Sequence, residues 1–569
     1  MEAGRNGRLI WRQHGSVPPG AMGWRDQRWR SLMAEAQAKG VRVALTVQRF
    51  SWDAGARSQT IKLLRSSKAR SRLARQIRDE LLESGADGVN LDFEPLPSEV
   101  RTQFTSFVRQ LRRTLERATA EAGLPSMQIT FDITADVDAY DVAALTADDA
   151  ADAVFLMAYD FRGGSAPYAA SHSPLDDPET GFDIRTTVEA LLRVVDPGYA
   201  ILGLPWYGRA WTTRGPEPFS PTRSGSRYTP ASTSWYEDAI AIARANGRNY
   251  DPVAQTAWTV YVVRRPGCAT CPEAWRQVWY DDVDGFGAKF AFAQDEGMRG
   301  VGMWALGYTG AYRGMWNVIG LRTGAISDDV APTGTASIAE GASGVEHDLP
   351  IVTGDVTLAL EAHDTGGSEL AFVRISNTGV LDEAGSLADG STWPATSRVA
   401  WSLEDGPVVV PPKARPTRTP APSGPPLQPT GSGGAEASAP TTTALPSAAP
   451  AGSAAPAGSA APAGSAPPAT VPPSGPPPTA PPVVQGVRSI LVQWRDVAGN
   501  WSTPIVVQVW YAPEGSVMPE PTPSPTPPPT VPPSPSPSHA PGVPTQASPS
   551  TRPAASPTPS ELLESAVSR

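Results

Sequence analysis

The chain has 569 residues, a formal net charge of -10 and two cysteines, which excludes a disulfide-rich scaffold or a four-cysteine zinc site and argues against nucleic acid or an anionic membrane as the main partner. Apolar residues make up 40% and tryptophans number 17, enough for a sizeable core in a chain long enough for two or three domains. Proline, at 62 residues, is about twice its usual share of roughly 5%, so part of the chain lies in segments that do not fold conventionally.

Nothing in the sequence reaches the run of about 18 apolar residues that a membrane span needs, and the polar opening Met-Glu-Ala-Gly-Arg-Asn-Gly is not a signal segment. Residues 1–323 read as globular. Strand candidates at 41–47, 88–93, 128–133, 154–159, 201–206 and 301–306 alternate with helical stretches. In residues 100–117, for instance, Phe104, Phe107, Val108, Leu111 and Leu115 recur at helical spacing. Strand then helix, repeated, predicts parallel strands in an α/β architecture, a (β/α)8 TIM barrel over a doubly wound sheet. Only six strands are visible, and the residues before Val41 hold at most a short run at 9–11 and one helix at 27–37. The barrel is therefore expected to lack its first two strands, with Met1 internal to a longer chain that supplies them and a secretion signal.

An excursion over 209–298 is longer than a usual strand-to-helix loop. It contains Cys268 and Cys271, with Pro266 and Pro272 beside them. Two cysteines cannot hold zinc; a local disulfide in a tight surface loop is expected, over free thiols or a redox pair. Asp281 and Asp282 are expected to cap a helix at 283–296. The five histidines form no metal-like spacing and none is assigned to a site.

From 328 to 410 the pattern turns to short alternating segments rich in Val, Thr, Ser and Gly, an all-β signal. Residues 411–482 are mostly Pro, Ala, Ser, Thr and Gly and cannot bury enough apolar surface to order, and the same holds for the Pro/Ser/Thr-rich tail at 512–569. Between them, 483–511 holds two strand-like runs, too little to stand alone. One discontinuous sandwich, 328–410 plus 483–511, carrying the Pro-rich tract in the hairpin after 399–403, is expected, over two separate β pieces. The runs 331–334, 356–362, 373–377 and 494–500 resemble an immunoglobulin-like module common in secreted bacterial proteins.

The segment Asp87-Gly88-Val89-Asn90-Leu91-Asp92-Phe93-Glu94 carries the chemistry. Alternate residues of a strand share a face, so Asn90, Asp92 and Glu94 point one way. A solvated polar face is the bland alternative, but strands of parallel sheets are covered on both sides, and such a row fits the carboxyl end of a barrel strand where active sites lie. Two close carboxylates cannot both ionise readily, so one keeps a proton near neutral pH. Glu94, last on the strand, is the candidate proton donor, and Asp92 the residue that orients it.

Here the sequence resembles glycoside hydrolase family 18, the chitinase-like family with the signature D-x-x-D-x-D-x-E. Phe155-Leu156-Met157-Ala158-Tyr159-Asp160, Leu202-Gly203-Leu204-Pro205-Trp206-Tyr207-Gly208-Arg209 and Gly302-Met303-Trp304-Ala305-Leu306-Gly307-Tyr308 match its later strands in order. The nearest flavour is the branch of spore-cortex lytic enzymes and chitobiases. The resemblance implies a small α+β insertion between the seventh and eighth strands and retaining hydrolysis assisted by the substrate. Glu94 would protonate the glycosidic oxygen, Asp92 would hold the acetamide N–H and Tyr159 would donate to its oxygen. Asn90, Met157, Asp160, Tyr207 and Trp304 would contact the sugar, Trp304 as its floor. Asn90 stands where the family's second aspartate would be, which removes a proton-sharing partner from Asp92. Trp206 is either core or a sugar platform.

The expected substrate is a β-1,4-linked glycan containing N-acetylglucosamine, in chitin or peptidoglycan, with no cofactor and no metal. The expected protein is an extracellular or cell-surface monomer. A non-catalytic, lectin-like glycan binder on the same barrel is the alternative, and a surface adhesin built on the β and Pro-rich half is a third reading.

Overall fold

Alternating apolar and polar positions between glycine-capped helices dictate the first layer. A computed structural model describes residues 1–10, 24–147, 150–383, 385–403 and 485–513; the tract at 411–482 and the tail after 513 lie outside the described residues. The first sheet holds β1 (Glu2–Ala3), β2 (Leu9–Ile10), β3 (Ala44–Phe50), β4 (Gly88–Glu94), β5 (Gln128–Ile133), β6 (Ala153–Met157), β7 (Ala200–Pro205) and β13 (Gly300–Trp304), in the order β13-β7-β6-β5-β4-β3-β1-β2. The helices are α1 (Gln27–Ala38), α2 (Ala54–Arg65), α3 (Ser67–Ser84), α4 (Arg101–Ala122), α5 (Val142–Leu145), α6 (Ile184–Leu192), α7 (Tyr236–Asn246), α8 (Val283–Asp295) and α9 (Gly314–Thr323). None of the helices described is long and apolar enough to cross a membrane.

Parallel pairing runs from β13 through β3. The expectation that the residues before Val41 hold at most a run at 9–11 and the helix at 27–37 is corrected, because β1 precedes both. Glu2 pairs in parallel with Gln48, and β2 folds back antiparallel on β1. The Glu2 carboxylate bonds the buried Arg49 guanidinium at 2.9 Å, which anchors so short a strand. The sheet is barrel-like, and among the described residues no ladder joins β13 to β1 or β2.

β4 shows why helices pack outside and polar groups inside. Val89, Leu91 and Phe93 share the other face of the strand, with the Phe93 ring 5.2 Å from Phe104 and 6.2 Å from Phe107 of α4. Each such side chain, fully buried, contributes about 1.5–3 kcal/mol. The helix ends at Gly123, whose φ of 66° is the left-handed turn that glycine allows. Gly203 on β7 and Gly302 on β13 admit the Phe155 ring between them, since a Cβ at either would lie 2.2 or 2.3 Å from it.

After β7 the chain changes sheet. Trp206 is fully buried, 5.0 Å from Trp316 and 6.0 Å from Phe286, so it is core. The next residue opens β8 (Tyr207–Thr213), which joins β9 (Ser232–Trp235), β10 (Asn249–Asp251), β11 (Thr256–Arg264) and β12 (Glu273–Tyr280) in an antiparallel sheet ordered β10-β11-β12-β8-β9. This antiparallel lobe, with α7, occupies about 207–280, and α8, which follows it before β13, packs on α9, β11 and β13. Cys268 and Cys271 form a disulfide in the β11–β12 loop, their Cα atoms 5.4 Å apart. Asp282 caps α8. Asp281 does not; it pairs with Lys289 inside the fold.

The third sheet comprises β14 (Thr333–Glu346), β15 (Leu349–His363), β16 (Leu370–Ser376), β17 (Ser391–Pro394), β18 (Arg398–Ser402), β19 (Gly486–Asp496) and β20 (Ile505–Tyr511). Its order is β14-β15-β20-β19-β16-β17, with β18 on β15. The strands after residue 485 thus complete the sheet begun before residue 403, around Val373, Trp393, Trp401, Val492 and Trp494. The expected hairpin after 399–403 is corrected. β18 pairs with β15 and β19 with β16 and β20, so the chain leaves beside one strand and returns between two others. Asp284 of α8 ties this sheet to the lobe by accepting from Arg248 at 2.8 Å and from Arg495. Both guanidinium groups lie over the buried Phe372 ring, at 4.3 and 4.8 Å.

Candidate active site

Three carboxyl ends of parallel strands and one strand junction meet at a single cavity of about 340 Å³, within the usual range of small-molecule sites. Asn90, Asp92 and Glu94 enter it from β4 in the alternation the strand period requires. Met157 closes β6, and Tyr159 and Asp160 follow it. Tyr207 opens β8 at the change of sheet, and Trp304 ends β13. All eight line the cavity. Cys268 and Cys271 are not among its lining residues.

The cavity also gathers residues that the sequence reading left out. Asp132 of β5 accepts a hydrogen bond from the Asn90 amide at 2.7 Å, while the Thr130 hydroxyl donates to the Asn90 carbonyl oxygen at 2.7 Å. Asn90 is therefore not an isolated replacement; it relays the neighbouring strand's carboxyl group. The signal was available, because Thr130 and Asp132 alternate on one face of β5 as Asn90 and Asp92 do on β4. Asp160, at a φ of 58° that non-glycine residues rarely adopt, accepts from Arg209 Nε at 3.1 Å, with Arg209 Nη2 2.8 Å from its other oxygen. His172 does not line the cavity but packs behind two residues that do, Tyr207 and Asp160, against the expectation that no histidine belongs to the site. It is 1% exposed, its ring centroid lies 5.0 Å from that of Tyr207, its Nε2 hydrogen meets the Tyr207 carbonyl at 3.1 Å, and its Nδ1 is 3.5 Å from Asp160. No spacing rule links residue 172 to 160 or 207. The peptide bonds Glu94–Pro95 and Trp304–Ala305 are cis.

Residues 25–308 match the description "Glycosyl hydrolases family 18". The chain carries a family 18 domain. Its relatives include a "Probable endochitinase" of Caenorhabditis elegans, 27% identical over 39% of this chain and 37% of that one. The di-N-acetylchitobiase of Mus musculus is 24% identical over 38% of this chain and 60% of its own. The cortical fragment-lytic enzyme of Bacillus subtilis is 26% identical over 43% and 52%. The chain spans about half the length of these relatives.

The family 18 domain keeps its carboxyl groups protonated by burying them together. Burial, with the charges of Asp92 and Asp160, pushes Glu94 up to about 8. Burial raises Asp92 to about 7, and burial beside Asp92 holds Asp132 well above the usual carboxylate range. Asp160 differs: burial opposes its charge, but His172 and Arg209 hold it below the ordinary value. Tyr159, buried among these acids, stays a hydroxyl donor far above pH 10. One site thus offers a protonated acid, a fixed carboxylate and a neutral phenol. Asp92 Oδ1 is buried with no hydrogen-bond partner among the described residues, so the desolvation of this acceptor is uncompensated.

Asp132→Ala is expected to strand the Asn90 amide, destabilising the protein by about 1–3 kcal/mol and lowering kcat/KM about tenfold. Asp132→Asn, which keeps an acceptor oxygen, is expected to recover most of the stability. Thermal melts of the two variants check this; equal melting temperatures would show that the Asn90 bond contributes nothing.

Proposed function

We propose that the domain hydrolyses β-1,4 glycosidic bonds of N-acetylglucosamine-containing glycans by a retaining, substrate-assisted mechanism. The observation that carries this reading is the buried Glu94 carboxyl group, raised to about 8, in one cavity with Asp92, Tyr159 and Trp304. Glu94 gives its proton to the glycosidic oxygen as the bond from that oxygen to the anomeric carbon breaks. The substrate's acetamide oxygen forms a bond to that carbon, giving an oxazolinium ion. Asp92, whose Oδ1 lacks a protein partner, accepts the acetamide N–H and offsets the positive charge, while the Tyr159 hydroxyl donates to the acetamide oxygen. Water then attacks the anomeric carbon as its bond to the acetamide oxygen breaks, and loses a proton to Glu94, which restores the acid, the acetamide and the original configuration. Asp160, fixed by Arg209 and His172, binds sugar hydroxyls; Asn90 and Met157 shape the pocket, Tyr207 walls it and Trp304 is its floor.

The names of the relatives support a chitin-type or peptidoglycan-type substrate. The third sheet is read as an immunoglobulin-like accessory module, with 328–410 plus 483–511 as its span, which holds the domain at a wall or matrix. The Cys268–Cys271 disulfide supports an oxidising, extracellular or cell-surface location, and a monomer is the expected state. The test is an oligomer series. A tetramer of N-acetylglucosamine should be cleaved with the β-anomer formed first, and the de-N-acetylated tetramer should not be cleaved. Equal cleavage of both, or first release of the α-anomer, would overturn the mechanism.

A further inference from the structure

We propose that the stacked pair Trp235–Tyr308 is a second saccharide platform, seating another sugar of the same β-1,4-linked N-acetylglucosamine chain whose scissile unit lies over Trp304. This rests on the hydrolase reading above and extends it outside the cavity. Trp235 ends β9 in the lobe, and Tyr308 lies in the loop after β13. Their rings are 5.1 Å apart and within 10° of parallel. One face of the indole is covered by Tyr308, yet Trp235 remains 48% exposed, so an open aromatic face remains.

Single exposed aromatics are common on protein surfaces, but here Trp235 reaches the cavity through its ring contact with Tyr308 and that of Tyr308 with Tyr207. Trp304 is 50% exposed in the cavity, Leu306 is 66% exposed two residues on, and Tyr308 and Trp235 follow. The Tyr308 ring centroid is 6.4 Å from that of Tyr207, which lines the cavity. An apolar strip therefore leads from the catalytic floor to the lobe. The carbon-bound hydrogens of a pyranose face suit the negative face of an aromatic ring.

The platform is held before any ligand arrives. Trp235 pairs with Tyr207 in the β8–β9 ladder. The Tyr236 N–H donates to the Trp206 carbonyl at 3.2 Å, and the Glu237 N–H donates to the Tyr308 carbonyl at 3.1 Å. These main-chain ties lock both rings to the segment that enters the cavity, which keeps the ordering cost of binding low.

The test measures binding of the dimer and the hexamer of N-acetylglucosamine to the full chain carrying Glu94→Gln, by calorimetry, with and without Trp235→Ala. The hexamer should bind at least about tenfold tighter than the dimer, and Trp235→Ala should reduce that ratio to about twofold while leaving dimer affinity unchanged. Trp235→Phe, which keeps an aromatic face, should retain most of the ratio and guards against misfolding of the alanine variant. An unchanged ratio in Trp235→Ala, or no binding of either oligomer, overturns the platform. A length preference that Trp235 controls, in a protein that without Glu94→Gln cleaves neither oligomer, overturns the hydrolase reading and leaves the platform standing.

Discussion

Glu94→Gln is expected to lower kcat/KM on N-acetylglucosamine oligomers by about 10³-fold, within the usual range for losing a general acid, while oligomer affinity changes less than about threefold. Glutamine keeps the shape and an acceptor oxygen but has no proton to give. In the parent protein the rate should fall as pH rises through about 8, where Glu94 ionises. It should rise through about 7, where Asp92 ionises, although the pair titrates as a unit. The same substitution has a thermal signature. The folded-state value of about 8 lies above the roughly 4.3 of an unfolded chain, so the native protein holds this proton after the unfolded chain has lost it. The stability tied to Glu94 is therefore fully present below about pH 4 and is lost as pH rises through about 8. Glutamine is neutral throughout, so the variant should melt with the parent near pH 4 and above it near pH 9. Activity within tenfold of the parent would remove Glu94 from the reaction. Melting below the parent at pH 9 would show that its carboxyl group is not destabilised by burial.

Lys289→Met is expected to destabilise the protein by about 3–5 kcal/mol, the cost of leaving one partner of a buried ion pair alone, or about 10 °C in Tm at roughly 2–4 °C per kcal/mol. Lys289 on α8 is fully buried and pairs with Asp281, 1% exposed at its side chain, just after β12. The Thr256 hydroxyl of β11 lies 3.2 Å from the ammonium. This cluster ties the lobe to the first sheet, so its loss should also loosen the wall that Tyr207 presents to the cavity. Adding Asp281→Asn should recover part of the loss, because no uncompensated charge then remains. A single variant that melts within about 2 °C of the parent would show the pair to be energetically neutral.

The polar row of β4 was legible because a strand has a period of two. Asn90, Asp92 and Glu94 share a face on any strand, and the outward Phe93 finds Phe104 and Phe107 because α4 repeats its apolar residues at helical spacing. The motif ends at Tyr159, Asp160, Tyr207 and Trp304 were legible for the same local reason, each following an apolar strand. Asp132 obeyed the identical rule on β5 and was overlooked because one aspartate in a strand without a matching motif draws no notice. His172 and the pairing of Arg209 with Asp160 could not be read. Both depend on where a long loop and a second sheet fold back, and no periodicity spans those separations.

Residues 207–280 show the same divide at the scale of a lobe. Their partners are set by antiparallel register, so length alone marked an insertion without giving its strand order. The third sheet differs again: its two late strands needed partners, but only the folded chain decides that β19 lies between β16 and β20 while β18 remains on β15. What the amino-acid order determined by itself is local: which side chains share a strand face, which helix stripe is apolar, and that the proline-rich segments lack a core. What only the tertiary structure decided is which distant groups meet, and with it the protonation of Glu94, because a carboxyl group's charge is governed by its burial and neighbouring charges rather than by its place in the chain.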